Sequence, residues 1–138
     1  MRTVEDDAGD RYILLKESGE SSLVRDPATG ERTHRPNEAL TPVEGESPLT
    51  TAAGTVPEQI RKLLLAVADE RALGLLLEVD ARGPVGVRAL LEYDLCESDL
   101  HGLLAEFRAA GLVTERQVGG ERGYDTTEAA AATLDRLR

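Results

Sequence analysis

The chain has 138 residues, a formal net charge of −10 and a single cysteine, Cys96. That length predicts one domain with at most a small appendage, and the lone cysteine excludes an intramolecular disulfide and a zinc site built from several cysteines. No apolar run approaches the roughly 18 residues of a membrane span, and the acidic start lacks the apolar stretch of a secretory signal, so we expect a cytoplasmic protein that contacts no membrane.

Residues 1–36 are predicted to form a small three-stranded antiparallel β-meander. The polar segment 1–10 is expected to fray, and strands are predicted at 11–16, 21–26 and 31–35. Asp26-Pro27 starts a type I turn that Gly30 completes. Because such a meander is too small to be stable alone, it should pack on the rest of the chain or on a second copy. The consecutive apolar residues at 13–15 indicate that both faces of the sheet are covered.

Residues 37–56 are predicted to be a linker. Two prolines, two glycines and several serines and threonines break up any apolar period. The segment has room for one short helical turn.

From Pro57 onward the apolar residues recur at helical spacing. Pro57 suits the first helical position, and the buried stripe of this helix is predicted at Ile60, Leu63, Leu64 and Val67. Asp69 is a suitable N-cap for the next helix, whose stripe is Ala72, Leu75, Leu76 and Val79. Arg82-Gly83-Pro84 ends that helix, and a short helix is predicted at 87–92.

The helix predicted at 97–110 is followed by a change to a period of two. Gly111 suits the left-handed residue that ends a helix, and the inward residues of the helix are predicted to be Leu100, Leu103, Leu104 and Phe107. Strands at 112–118 and 121–126 are joined by a hairpin turn at Gly119-Gly120. A last helix, at 128–137, begins after Thr126 or Thr127 as its cap.

This order of helices followed by a hairpin and a closing helix resembles the winged helix-turn-helix of ArsR- and MarR-like regulators. The sharpest match is Ala109-Ala110-Gly111-Leu112-Val113, where their recognition helix joins the wing. Weaker matches lie at 71–76, 83–91, 95–104 and 123–128. The resemblance implies an α+β fold, with a winged helix-turn-helix over 57–138 preceded by the β-meander.

The resemblance further implies a DNA-binding transcriptional regulator. Its recognition helix, about 97–110, would enter the major groove, and its wing, about 112–126, would follow the backbone or the minor groove. The residues expected to contact double-stranded DNA are Ser98, His101, Gly102, Arg88, Arg108, Arg116, Gln117 and Arg122. For Arg116 and Arg122 the alternative is salt bridging with Glu115 and Glu121. Paired half-sites favour a homodimer, with the helices at 57–67 and 128–137, or the edge of the meander, as candidate dimer surfaces.

The charge of the predicted recognition helix does not favour DNA, since phosphate contacts come largely from Lys and Arg. Its charged residues are Glu97, Asp99, Glu106 and Arg108. A second hypothesis is therefore a winged-helix adaptor that binds a protein partner without contacting DNA, and a third is a stable scaffold with neither role. An exposed apolar patch on the recognition helix would favour the adaptor, and a basic stripe on one face would favour DNA, formed by Arg88, Arg108, Arg116 and Arg122.

The composition resembles that of haloarchaeal proteins. Of 16 basic residues only Lys16 and Lys62 are lysine, against 26 acidic residues. At molar salt the Debye length is about 3 Å, so carboxylates that miss direct phosphate contact repel DNA very little. An acidic protein from a GC-rich genome would also use arginine in place of lysine, and both explanations stay open.

Nothing in the sequence indicates an enzyme. His34 and His101 are distant in the chain, and no serine elbow, phosphate-binding loop or HExxH motif accompanies either. Cysteine and histidine are not clustered, so we expect neither a metal site nor a cofactor. Cys96 falls at the N-cap of the predicted recognition helix, where a lone thiol is more often a small packed group than a redox sensor.

Overall fold

The computed structural model describes every residue from 1 to 138, and the chain divides into two units. The N-terminal unit is Met1–Pro57 and the C-terminal unit is Glu58–Arg138. The protein is mixed α/β, with two antiparallel sheets and six α-helices. Each unit has its own sheet and its own cluster of buried apolar residues.

The N-terminal unit holds five strands, so the prediction of three was wrong. The sheet order is β4-β3-β2-β1-β5, and the strands are β1 (Arg2–Glu5), β2 (Arg11–Glu17), β3 (Ser21–Arg25), β4 (Arg32–Pro36) and β5 (Thr41–Pro42). The segment expected to fray is β1 and its turn, in which Thr3 and Val4 are buried. Its polar character comes from the turn, where the Asp6 carboxylate accepts hydrogen bonds from the N–H groups of Ala8 and Asp10.

The segment predicted to be a linker is also structured. It contains a 3-10 turn (Asn37–Ala39), the strand β5 and helix α1 (Pro48–Ala53). The Ser47 side chain caps α1 by accepting from the N–H groups of Leu49 and Thr50. Thr51 of α1 is buried and its hydroxyl lies 2.6 Å from that of Thr3. The prolines and hydroxyls therefore start and anchor a helix instead of marking a flexible connection.

Both faces of this small sheet are covered, as the run of apolar residues at 13–15 predicted. Ile13 pairs with Thr3, the partner of α1, and is buried. Leu14 lies on the other face and packs with Val4 and Val24. Between Leu14 and Lys16 the register with β3 shifts, which indicates a β-bulge at this point.

The carboxylate of Asp6 is expected to make the N-terminal unit sensitive to acid. The N–H of Asp10 holds the pKa of Asp6 below its ordinary value of 3.8, against the opposing effect of burial, and the N–H of Ala8 and the Arg35 guanidinium lower it further. Arg35 Nη2 lies 2.9 Å from Asp6 Oδ2. A carboxyl whose pKa is lower in the folded than in the unfolded protein stabilises the fold at any pH above its unfolded pKa. This stabilisation is lost as the pH falls through its folded pKa.

We therefore expect Asp6→Asn to lower the unfolding temperature of the N-terminal unit at about pH 7 and to lower it less near pH 3, below the ordinary carboxyl pKa of 3.8, where part of the stabilisation has been lost. Thermal unfolding followed by the amide NMR signals of residues 1–57 measures this. Asp7→Asn, at an exposed neighbour, is the matched control. An equal deficit at both pH values would contradict the role assigned to the carboxylate.

The C-terminal unit consists of helices around a three-stranded antiparallel sheet of order β6-β8-β7. Its elements are α2 (Glu58–Ala66), α3 (Glu70–Arg82), β6 (Val85–Gly86), α4 (Val87–Leu90), α5 (Glu97–Ala109), β7 (Val113–Val118), β8 (Glu121–Thr126) and α6 (Glu128–Leu137). The short strand β6 pairs with β8, which ties the start of α4 to the hairpin.

Local capping chemistry confirms where these elements begin and end. The Asp69 carboxylate accepts from the N–H of Ala72 at the start of α3, and the Thr127 hydroxyl accepts from the N–H of Ala130 at the start of α6. Gly111 ends α5 with a φ of 76°, a conformation that glycine adopts without the strain other residues meet.

The core of this unit is formed by the helical stripes that the sequence predicted, with two corrections. Its fully buried side chains include Leu76, Leu90, Leu104 and Phe107. However, Leu64 is 61% exposed and Leu103 is only partly buried. Of α2 only Leu63 is buried. The predicted stripe was therefore too wide for a helix that packs along one narrow face.

Candidate nucleic-acid interface

A groove lies between α5 and the β7–β8 hairpin, and it contains three of the residues predicted to contact DNA. This helix–hairpin groove is lined by His101, Ala105, Arg108, Ala109, Glu115, Arg122 and Tyr124. The pairs Glu115–Tyr124 and Gln117–Arg122 are directly opposite in the hairpin. Because side chains alternate across a strand, these four residues share the hairpin face that carries the groove.

The structure fixes the hairpin at two places. Its base is held where the Thr126 hydroxyl donates to Asp80 of α3 at 2.8 Å. Near its tip, the Glu121 carboxylate accepts from the backbone N–H of Arg88 at 3.1 Å. Tyr124 is buried among the core residues. The groove is therefore formed by elements that are anchored to the same core.

Glu115 occupies the electrostatic centre of the groove. Its Oε1 lies 2.8 Å from Arg108 Nη1 and 3.9 Å from Arg122 Nε. The three side chains are partly exposed, at 35% for Glu115, 58% for Arg108 and 61% for Arg122. Exposed ion pairs contribute at most about 1 kcal/mol each, so an incoming anion could displace this carboxylate from either guanidinium.

The other predicted arginines are not part of this groove. Arg116 pairs across the hairpin with Gly123, so its side chain lies on the opposite face from Arg122. Arg88 Nε is 3.3 Å from Glu121 Oε2, and the Arg88 side chain is 91% exposed. The four arginines therefore form no single basic stripe, which was the arrangement expected to favour DNA.

The predicted contacts on the first two turns of α5 are accessible to a ligand. Ser98 and Gly102 are exposed, and a Cβ atom on Gly102 would meet no other atom within 4 Å. His101 is partly exposed and its Nε2 lies 3.6 Å from Glu97 Oε1. Gln117 is exposed on the groove face of the hairpin.

Sequence reasoning named Glu115 and Glu121 as alternative ion-pair partners of Arg116 and Arg122, but it did not identify the pairing of Glu115 with Arg108. The position of Glu115 relative to Arg122 could have been predicted from the sequence, because the two-residue turn at Gly119-Gly120 fixes the hairpin register. That register places Glu115 on the same face as Arg122. Its approach to Arg108 depends on how α5 packs against β7, and the sequence pattern does not specify that packing.

The comparisons with known proteins place the chain in a family. A family model matches residues 1–138. The chain belongs to the Family of unknown function (DUF7346). The search of curated proteins gave no match.

Among solved structures, the chain is similar to one titled "ArsR-like Transcriptional Regulator from Rhodococcus sp. RHA1". The identity is 26%, the match covers 61% of this chain and 82% of that chain, and the TM-score is 0.47.

Two further features of the structure concern metals and membranes. No group of three or more His, Cys, Asp or Glu side chains is arranged to hold a metal ion. No helix has the length and apolar character needed to cross a membrane.

Proposed function

We propose that the C-terminal unit is a winged helix-turn-helix that binds double-stranded DNA, and that the protein is a transcriptional regulator. In this proposal α5 is the recognition helix and the β7–β8 hairpin is the wing. The observation that carries the proposal is the helix–hairpin groove, which presents His101, Arg108 and Arg122 on one surface. Guanidinium groups are the usual partners of phosphate oxygens.

The order of the elements supports this proposal. A helix, a short strand, two helices joined by a tight turn and a hairpin follow one another from α3 to β8, and the short strand pairs with the hairpin. In helix-turn-helix proteins the N-terminal residues of the recognition helix contact base edges. Here these positions are Ser98 and Gly102, which are exposed, while Arg108 and Arg122 would contact the backbone.

The acidic surface is compatible with DNA binding if the protein works at high salt, and we propose that it does. The scarcity of lysine among the basic residues supports this proposal. At about 1 M salt the Debye length is about 3 Å, which removes repulsion from all carboxylates except those inside the interface. Glu115 is such a carboxylate, since it lies between the two groove arginines.

Replacing this carboxylate is expected to strengthen DNA binding. Glu115→Gln keeps the shape of the side chain and frees both guanidinium groups. A unit charge about 6 Å from a phosphate costs about 0.7 kcal/mol in water, so affinity should rise about threefold or more at roughly 0.1 M salt and hardly change at about 1 M. Fluorescence anisotropy with a labelled duplex at both salt concentrations measures this.

Glu31→Gln, at an exposed position of the N-terminal unit, is the control with the same charge change. It should leave DNA affinity unchanged at both salt concentrations. An unchanged or weaker affinity of a folded Glu115→Gln protein would show that DNA does not enter the helix–hairpin groove.

The DNA duplexes for these measurements come from sheared genomic DNA that is enriched on the tagged protein. The enrichment is done in about 1 M KCl, because at that salt concentration only close contacts remain unscreened.

We propose further that the protein binds DNA as a homodimer. Leu65 of α2 is 82% exposed and borders a shallow groove that also contains Lys62, Ala66, Glu106, Ala109 and Ala110. A two-fold interface brings the same patch of each copy together. The patch contains Lys62 and Glu106, so the lysine of one copy can pair with the glutamate of the other.

A second candidate function, a protein-binding adaptor, is favoured by the ion pairs of the groove. Arg108 and Arg122 share the carboxylate of Glu115, so the groove arginines together carry the excess of only one positive charge. Failure to enrich any DNA, together with capture of a specific protein that Leu65→Glu abolishes, would support the adaptor over the regulator.

A further inference from the structure

A second cleft lies away from the helix–hairpin groove, between α3 and the turn that leads into α5. This α3 cleft has a volume of about 370 Å³ and is lined by Arg71, Gly74, Leu75, Glu78, Tyr93, Asp94 and Leu95. Small-molecule sites commonly have volumes of roughly 300–1,000 Å³ and combine an apolar floor with a few polar groups. The α3 cleft meets both conditions.

The floor of the cleft is apolar and open above Gly74. Leu75 is buried, Leu95 is partly buried and packs against the core, and a Cβ atom on Gly74 would meet nothing within 4 Å. Glycine inside a helix costs about 1 kcal/mol relative to alanine. At this position the missing side chain leaves open space in the cleft that Tyr93 also lines.

The charge around the cleft is mainly negative. Glu78 and Asp94 line it, while the guanidinium of Arg71 lies 3.6 Å from Asp99 on α5. Glu78 accepts a hydrogen bond from the Tyr93 hydroxyl, which in turn accepts from Arg82 at 2.7 Å. The second oxygen of Glu78 and both oxygens of Asp94 have no hydrogen bond with another residue. The Arg82 guanidinium also lies 5.6 Å from the centre of the Tyr93 ring and interacts electrostatically with Glu78. A cation would therefore find its least opposed carboxylate partner in Asp94, with the second oxygen of Glu78 beside it.

We propose that the α3 cleft binds a small amphipathic cation, with an apolar body over Gly74 and Leu75 and an ammonium group between Glu78 and Asp94. Asp94 and Leu95 immediately precede Cys96, the residue at which α5 begins. A molecule in the cleft thus contacts the segment that positions the first turn of α5. If α5 is the recognition helix, as the proposed function requires, the cation is an effector that changes DNA affinity.

The first test is direct binding to the full chain in the absence of DNA, by titration calorimetry. Benzyltrimethylammonium is the probe, with benzyl alcohol and phenylacetate as its neutral and anionic counterparts. We expect the cation to bind at least tenfold more tightly than either counterpart. Glu78→Gln should weaken its binding about tenfold, and Gly74→Leu, which fills the cleft, should abolish it. Ala129→Leu, an exposed position on α6, should bind the cation as the wild-type chain does.

Equal binding of the three probes, no binding of the cation, or undiminished binding by a folded Gly74→Leu protein would each overturn the site. The second test compares DNA affinity with and without saturating cation. A change of at least threefold that is absent in Gly74→Leu supports the effector role, whereas cation binding with constant DNA affinity overturns that role. If the wild-type chain does not bind DNA at all, that result counts against the proposed function. The calorimetric test of the cation site does not depend on DNA binding and keeps its own outcome.

Discussion

The variant Arg108→Ala/Arg122→Ala is expected to lose about 100-fold in DNA affinity at roughly 0.1 M salt. A charge-assisted hydrogen bond contributes about 1.5–3 kcal/mol, and displacing Glu115 from its exposed ion pairs costs up to about 1 kcal/mol. Each arginine then contributes a net of about 1–2 kcal/mol, and 1.4 kcal/mol corresponds to a factor of ten. The slope of log affinity against log salt should also become shallower by about 1.8, since two phosphate contacts are lost.

Two comparison variants locate the contact surface. Lys16→Ala/Arg32→Ala removes the same charge from exposed positions of the N-terminal unit and should change affinity by less than about twofold, because screened charges outside the interface contribute little. Arg88→Ala/Arg116→Ala tests the opposite face of the hairpin. If that pair reduces affinity more than Arg108→Ala/Arg122→Ala does, DNA lies against the outer face of the hairpin and the groove has been assigned wrongly.

The elements that sequence reasoning located well are those with their own local signals. Asp69 and Thr127 cap helices through contacts within three residues, and Gly111 adopts the left-handed conformation that ends α5. Such contacts depend only on neighbours in the chain, so residue type and spacing suffice to predict them.

The elements that it missed depend on partners distant in sequence. β5 is two residues long and pairs with β1, across more than thirty intervening residues. β1 is short and is followed by a polar turn, so it carries no clear apolar alternation. Neither strand has a periodic pattern of its own, and each exists because the neighbouring strand supplies hydrogen-bond partners. The exposure of Leu64 has the same origin, since only packing decides which residues of α2 are covered.

For the candidate site, the sequence predicted which elements carry the polar residues but not how those residues are grouped. Arg116 and Arg122 flank the same hairpin turn, and the prediction treated them as one contact. The register Arg116–Gly123 and Gln117–Arg122 separates them onto opposite faces. The pairing of Glu115 with Arg108 was not predicted, because it joins two elements whose relative position is a property of the tertiary structure.

The variant Leu65→Glu is expected to convert the proposed dimer into a monomer. Burying a leucine side chain contributes about 1.5–3 kcal/mol, and two-fold symmetry doubles this to about 3–6 kcal/mol for the pair. The carboxylates introduced in its place would be desolvated beside each other, which adds a penalty. We expect the dissociation constant to rise by at least about 100-fold, as measured by sedimentation equilibrium at roughly 1 M salt, where weak charge effects are screened.

Leu49→Glu is the matched control, because Leu49 in the N-terminal unit and Leu65 are both 82% exposed. It should leave the dimer intact. Both variants remove an exposed leucine, so unfolding temperatures close to that of the wild-type chain are expected for both. A wild-type chain that sediments as a monomer at every concentration would refute the dimer. A dimer weakened equally by both variants would show that general surface hydrophobicity, and not the groove beside Leu65, holds the copies together.

The effect of Leu65→Glu on DNA affinity separates the two proposed functions. A regulator that reads paired half-sites should lose DNA affinity along with its dimer, whereas an adaptor should lose only its protein partner.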